Sequence, residues 1–241
     1  MKESGKEHLT AIVDLDNVGC NTRAECRVEI IKELGIDIYR LDEQYRRAGK
    51  PIPHDLRDFD EIRSHPDGLE MVNRMFFEET VVYERAKPMP GFVEYYTYLS
   101  RLGFRLPICT ARPGWRLGAV TRDWTIRHGL GWATDQVIHT TPQTRKIFSG
   151  KQMAEDKNNK IAHFRSQIII EDMPLNLAEM SWPGIMALVL LDFPYNQHFS
   201  MDKLVRVYGA EQGLAWPMIA SIIIEADKYM SHNVDTEPVE V

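Results

Sequence analysis

Cysteine is scarce in this chain. Three thiols, Cys20, Cys26 and Cys109, are spread over 241 residues. So small and odd a set argues against a disulfide framework and points to a reducing compartment. Long apolar runs are missing too. The longest, such as Ile185–Leu191, have the length of a buried strand and fall well short of the roughly 20 residues that span a membrane. The first eight residues are charged and no apolar signal core follows them. A soluble, cytoplasmic protein is expected. There is no basic excess: 29 Lys and Arg against 35 Asp and Glu leave a formal net charge of −6. That balance speaks against an extended nucleic-acid surface or an anionic membrane, while a small anionic substrate, which answers to a local field, stays open. The histidines form no His-Glu-x-x-His spacing, so nothing supports a zinc site.

A hydrophobic fraction of 44% is enough to build one large domain, or a domain carrying an insert. Short runs rich in β-branched residues occur at Leu9–Leu15, Arg105–Thr110, Gln167–Ile170 and Ile185–Leu191, with a weaker one at Gln136–Thr140. Near-continuous apolar runs of this kind are strands covered on both faces. Helical patterns lie between them: from Pro90-Gly91 to about Leu102, at Trp115–His128, Asn158–Arg165 and Leu175–Met180, and finally at Ala215–Met230. The alternation predicts an α/β fold with a mostly parallel sheet flanked by helices. Residues 18–87 break the rhythm. Glu25–Leu34 and Leu69–Phe77 are helical, Arg40–Arg47 is charged, Pro51–Asp60 is turn-rich, and no convincing strand is present. They are expected to form a helical insert after the first strand, with 1–17 and 88–241 making the core and Lys87-Pro-Met-Pro-Gly91 the return hinge. The acidic tail after His232 is expected to lack order.

Three strands end in groups with chemistry. Ile12-Val-Asp14-Leu-Asp16 carries an apolar strand into two carboxylates spaced by two, which keeps both on one side of the backbone. Paired acids are costly unless a cation or a shared proton relieves them, and a Mg²⁺ site with a nucleophile and a proton donor would do so. Taken alone, the pattern reads equally well as a strand-to-turn cap. Ile108-Cys-Thr110 ends in a hydroxyl before a loop and a helix, where backbone N–H groups can hold a phosphoryl oxygen. A thiol nucleophile at Cys109 would need Arg six positions on, where Trp115 stands, so Cys109 reads as a small buried hydrophobe. Gln167-Ile-Ile-Ile-Glu171-Asp172 delivers adjacent acids to a sheet edge, a set that suits Mg²⁺. Upstream, Lys157 and Lys160 open a helix and either one could reach a phosphate.

Asp-x-Asp, Thr, Lys and Glu-Asp, in that order, resemble the four motifs of the haloacid dehalogenase superfamily, at Asp14-Leu-Asp16, Thr110, Lys160 (or Lys157) and Glu171-Asp172. The resemblance implies a Rossmann-like parallel sheet and a small helical cap after the first strand. Within it the chain looks like the 5′(3′)-deoxyribonucleotidase group, through Pro90-Gly91, Ile108-Cys-Thr110, Ile168-Ile-Ile-Glu-Asp172, Leu191-Asp-Phe-Pro-Tyr195-Asn196 and Trp216. Asn17 stands where glycine is common, and Glu171 replaces the usual first Asp of the fourth motif.

The resemblance implies a Mg²⁺-dependent phosphomonoesterase of 5′-nucleotidase type. Asp14 would be the nucleophile and Asp16 the acid and base. Asp14, the Asp16 main chain and Asp172 would hold the metal, with Glu171 acting through a metal water, and Thr110 and Lys160 would bind phosphate. The alternatives are another substrate, either a sugar phosphate or a polynucleotide end, or a non-catalytic phosphoryl-binding protein on the same fold. The expected partner is a small phosphorylated molecule, and a homodimer stays open. Arg112, Arg116 and Lys160 are placed near the mouth as a positive funnel, with Arg116 preferred as a surface residue. Phe76, Phe77 and Tyr83 of the insert read as core rather than as a stacking surface.

Overall fold

A computed structural model describes residues 9–140, 150–178 and 184–234; side chains at 150–154, 156, 160, 233 and 234 lie outside the description. Strand β1 (Ala11–Asp14) leads into five helices: α1 (Thr22–Leu34), α2 (Ile38–Arg47), α3 (Asp60–Ser64), α4 (Gly68–Phe77) and α5 (Val81–Arg85). The chain then returns through α6 (Phe92–Arg101) to β2 (Ile108–Thr110), α7 (Gly114–Arg127) and β3 (Val137–His139). It continues with α8 (Gly150–His163), β4 (Ile168–Glu171), α9 (Pro174–Ala178), β5 (Ala187–Leu191), β6 (Leu204–Val207) and α10 (Ala215–Val234).

Among the described residues the six strands form one sheet in the order β3-β2-β1-β4-β5-β6, and every pairing is parallel. This is the predicted α/β architecture. The two-residue period of a strand sorts the side chains to two faces. Ala11 and Val13 pack with Ile168, Ile170, Val189 and Leu191 beneath α6, α7 and α10. Ile12 packs with Cys109, Ile169, Leu188 and Leu190 beneath α8 and α9. Both faces are covered, which is why the runs are apolar without alternation. The order of the strands reverses direction between β1 and β4, and in open parallel sheets the crevice at such a reversal takes the ligand.

Residues between β1 and α6 are helical as expected, and they gather a hydrophobic cluster of their own around Ile30, Ile38, Phe59, Ile62 and Val72. Helix α2 is more than a charged stretch, because Ile38, Leu41, Asp42 and Tyr45 fall on one buried face at helical spacing. The return hinge ends at Gly91, whose φ of +83° favours glycine; a Cβ there would also lie 3.2 Å from the Trp216 side chain. Strand β6 has no counterpart in the sequence reading. It is a four-residue edge strand with only Val207 buried, so it carries no apolar run. Helix α8 already includes Gly150, ahead of the expected start at Asn158, and α9 is described through Ala178, with the expected end at Met180 outside the described residues. Residues 235–241 of the acidic tail lie outside the described residues. No helix among the described residues is long and apolar enough to cross a membrane.

Trp216 opens α10 and ties it to the loop that follows β1. Its indole N–H donates to the Val18 carbonyl at 3.1 Å, and its ring packs on Phe92 with centroids 4.9 Å apart. Trp216→Phe keeps most of the packing and removes the donor, so it should cost about 1–3 kcal/mol in urea unfolding without a change in m-value.

Candidate active site

Strand order decides where the chemistry-bearing residues meet. Thr110, Asp14 and Glu171 are the last residues of β2, β1 and β4, three neighbours in the sheet. Val13 pairs with Ile108 on one side and Ile170 on the other, so Asp14 and Glu171 emerge side by side at the same edge. All are withdrawn from solvent: Asp14 is 5% exposed, Glu171 1%, Asp172 3% and Thr110 0%.

A buried lysine holds this cluster together. Lys157 projects from α8, and its Nζ pairs with both Asp14 Oδ1 and Glu171 Oε1. Burial opposes the lysine's charge, but the two carboxylates more than offset it and hold Lys157 above the usual lysine range. Lys160 lies on the same helix, with its side chain outside the described residues. Carboxylate oxygens of Asp14, Glu171 and Asp172 lie within 4.8 Å of one another. Burial, together with the neighbouring acids, pushes Asp14 well above the ordinary carboxylate range against the pull of Lys157. Burial likewise raises Glu171.

Asp172 moves the other way. Burial is opposed by His54, Tyr195 and Asn17, which together keep it low. Its Oδ2 accepts from the Tyr195 hydroxyl at 2.5 Å and from Asn17 Nδ2 at 3.0 Å, and His54 Nε2 stands 3.7 Å away. Asn17 has a φ of +60°, a conformation that asparagine tolerates better than most side chains. It does what a glycine there could not, because Nδ2 reaches Asp172 while Oδ1 accepts the Arg23 N–H at 2.9 Å.

The side chain of Asp16 lies apart from the acid cluster. It is paired with Arg112, whose Nη2 donates to Oδ1 at 2.7 Å and whose Nε donates to Oδ2 at 3.0 Å. Thr22 adds a hydroxyl donor to Oδ1 at 2.5 Å. Burial raises the Asp16 pKa, but the guanidinium and these hydrogen bonds prevail and hold it below the ordinary range. Arg112 borders the larger cleft, as the sequence reading placed it, but it is 3% exposed and its guanidinium is paired with the Asp16 carboxylate. Thr110 Oγ1 lies 3.4 Å from Asp16 Oδ2 and accepts the Arg112 N–H at 3.2 Å.

A cavity of about 210 Å³ opens over Asp14, Lys157 and Asp172. It adjoins a larger cleft of about 450 Å³, and Asp16, His54, Phe76 and Tyr83 stand in the walls of both. Phe77 and Arg57 border the larger space. Phe76, Phe77 and Tyr83 thus line a cleft, which burial habit alone does not reveal. His54 carried no sequence signal, being a lone histidine in a turn-rich segment. Tyr195 and Asn17 were legible only through the motifs in which they sit.

No protein-family model matches the chain, and no curated protein matches it significantly. Solved structures do match. A predicted phosphatase from Clostridium acetobutylicum superposes with a TM-score of 0.54 at 11% identity, over 91% of this chain and 100% of that one. A haloacid dehalogenase-like family hydrolase from Streptococcus pneumoniae gives 0.53 at 12% identity, over 90% and 99%. A protein from Thermotoga maritima, provisionally assigned as a β-phosphoglucomutase, gives 0.51 at 18% identity, over 89% and 99%. The chain has a haloacid dehalogenase-like fold.

In this haloacid dehalogenase-like fold the acid cluster suits a hard divalent cation. The three acids offer only carboxylate oxygens, and Lys157 balances just one of them. A few carboxylates with room for water is what Mg²⁺ selects.

Stability of the metal-free protein should reveal this repulsion. The folded pKa of Asp14 is raised, so ionising it costs stability above the ordinary carboxylate range and costs nothing below it. Asp14→Asn should therefore stabilise the metal-free protein at neutral pH by about 1 kcal/mol or more, with the gain fading as pH falls through the ordinary carboxylate range. Added Mg²⁺ should raise the melting temperature of the unmodified chain and leave that of Asp172→Asn unchanged. Thermal unfolding across a pH series reads both.

Proposed function

We propose that the chain is a Mg²⁺-dependent phosphomonoesterase acting on (deoxy)nucleoside monophosphates through an aspartyl-phosphate on Asp14. The observation that carries this reading is the convergence of Asp14, Lys157, Glu171 and Asp172 at one sheet edge beneath an open cleft. Lys157 relieves only part of the repulsion among these buried carboxylates, and a divalent cation would relieve the rest.

The side chains divide the work. The Asp14 carboxylate attacks phosphorus, splitting hydrolysis into two displacements. Lys157, preferred here over the Lys160 first expected because its ammonium stands between Asp14 and Glu171, and the Thr110 hydroxyl hold the transferring oxygens. Asp16 protonates the leaving alcohol and then takes a proton from the water that clears the intermediate. Asp14, Asp172 and the Asp16 main chain would hold Mg²⁺, with Glu171 beside them. The bound cation would supply charge neutralisation, keeping Asp14 ionised and offsetting the phosphoryl charge. Residues 18–87 act as a cap over the core formed by 1–17 and 88–241.

The leaving group would occupy the larger cleft. Phe76, Phe77 and Tyr83 in its walls favour a flat ring that can stack, as in a nucleobase. A second reading, a sugar phosphate, has support from Asp55, Arg57 and Asn176 in the same walls and from the β-phosphoglucomutase activity provisionally assigned to the Thermotoga maritima protein. Asp14, Asp16 and Asp172 are all present, which disfavours a non-catalytic scaffold.

Phosphate release from nucleoside and sugar monophosphates, with Mg²⁺ and with chelator, tests the proposal. Nucleoside monophosphates should be preferred and chelator should abolish release. Asp14→Asn should remove activity, and Lys157→Met should lower kcat by about 100-fold or more. Equal turnover by Asp14→Asn would overturn the mechanism, and a preference for hexose phosphates would overturn the substrate.

A further inference from the structure

We propose that Arg112 is a positioning residue for Asp16, gripping the carboxylate so that Oδ1 is anchored and Oδ2 is left to exchange the proton at the leaving group. This rests on the phosphomonoesterase reading and adds to it a residue outside the four motifs.

The two carboxylate oxygens are held unequally. Oδ1 receives the short bonds, 2.7 Å from Arg112 Nη2 and 2.5 Å from the Thr22 hydroxyl, with Cys20 Sγ at 3.6 Å. Oδ2 has Arg112 Nε at 3.0 Å and the Thr110 hydroxyl at 3.4 Å. The Asp16 side chain is 29% exposed and borders the larger cleft, so Oδ2, the less tightly held oxygen although it too accepts from the Arg112 fork, belongs to a carboxylate that solvent and substrate can reach. Burial pushes the Cys20 thiol up to about 12, so it stays a neutral neighbour.

Arg112 is itself fixed from three directions. Nη1 donates to Thr121 Oγ1 of α7 at 3.3 Å, and Nη2 also reaches Cys20 Sγ at 3.0 Å. The guanidinium lies 4.6 Å from the centroid of the Tyr83 ring on α5. Arg112 borders the larger cleft, but each of its three nitrogens already has a protein partner and the residue is 3% exposed, which directs its charge to Asp16. A planar fork held this way fixes both the position and the plane of the carboxylate, which a lysine cannot do.

Proton and bond bookkeeping follows from that geometry. Asp16 rests ionised beside Arg112, so it takes up a proton from solvent as the phosphate dianion binds. In the first displacement the Asp14–phosphorus bond forms, the ester oxygen–phosphorus bond breaks, and that proton passes from Asp16 Oδ2 to the departing alkoxide. In the second, water forms the new oxygen–phosphorus bond, the Asp14–phosphorus bond breaks, and the water proton returns to Asp16. A leaving group that departs unaided needs no such proton in the first displacement, and kcat/KM reports that displacement.

The test compares kcat/KM for the best alkyl phosphate of the substrate panel with that for p-nitrophenyl phosphate. Arg112→Met should lower the alkyl value by about 100-fold and the aryl value by less than about 5-fold, because misplacing a catalytic group costs the ester that depends on it. Arg112→Lys should fall between Arg112→Met and the unmodified enzyme. Thr121→Val, nearly isosteric and in contact with Nη1 alone among the guanidinium nitrogens, should give a smaller loss of the same selectivity even if Arg112→Met folds poorly. On an Asp16→Asn background Arg112→Met should cause no further loss on the alkyl ester. Equal losses on both esters, a gain on the alkyl ester, or full additivity with Asp16→Asn would each overturn the assignment. An unmodified chain that hydrolyses neither ester would instead remove the phosphomonoesterase reading on which it rests.

Discussion

The contact on which this molecule turns is the buried ammonium of Lys157 between Asp14 and Glu171. Like charges at a sheet edge repel, and burial makes the repulsion worse by removing the water that would screen it. One lysine relieves part of it and leaves a surplus of negative charge that a divalent cation could absorb. The parallel sheet makes the crowding unavoidable, because β1 and β4 are neighbours in register and both end in acids. The same parallel order delivers Thr110 from β2 to that edge. Function and instability share a cause here: the groups that would bind and transfer a phosphoryl group are the ones the fold is least content to bury.

Asp14 and Asp16 show how environment separates two acids that sequence makes look alike. They are two residues apart on one segment. Asp14 lies among other carboxylates and is held high, whereas Asp16 has turned to Arg112 and Thr22 and is held low. In the metal-free protein these shifts run opposite to the roles proposed for the two acids, so a bound cation would have to favour ionised Asp14 and the arriving phosphate to favour protonated Asp16. The helical segment contributes to both environments. Thr22 and Tyr83 stand around Asp16 and its arginine, and His54 stands beside Asp172. The helical segment and the sheet thus meet at the carboxylates themselves.

Much of the sheet was legible because strands buried on both faces leave an unmistakable record. Ile168–Ile170 and Ala187–Leu191 are apolar at every position, since each face packs under helices. The edge strand Leu204–Val207 left no such record, because one covered residue does not make a pattern. Helix α2 was obscured for a related reason: four buried positions among ten are outvoted by charge when residues are counted rather than placed on a helical face. The acids at the strand ends could be picked out one by one, whereas the partner of Arg112 could not, because nothing in a linear chain says that an arginine two residues beyond a strand will turn to Asp16.

What the sequence determined by itself was the inventory and its order: apolar runs that must be strands, acids and a threonine at their ends, a helical stretch after the first. These follow from local pattern, since hydrophobic periodicity and turn chemistry act over a few residues. Only the tertiary structure decided which groups meet. Lys157 is 143 residues from Asp14, Arg112 is 96 from Asp16, and Tyr195 is 23 from Asp172. Electrostatic character depends on distance through space and on access to water, and neither exists until the sheet has brought its strand ends together.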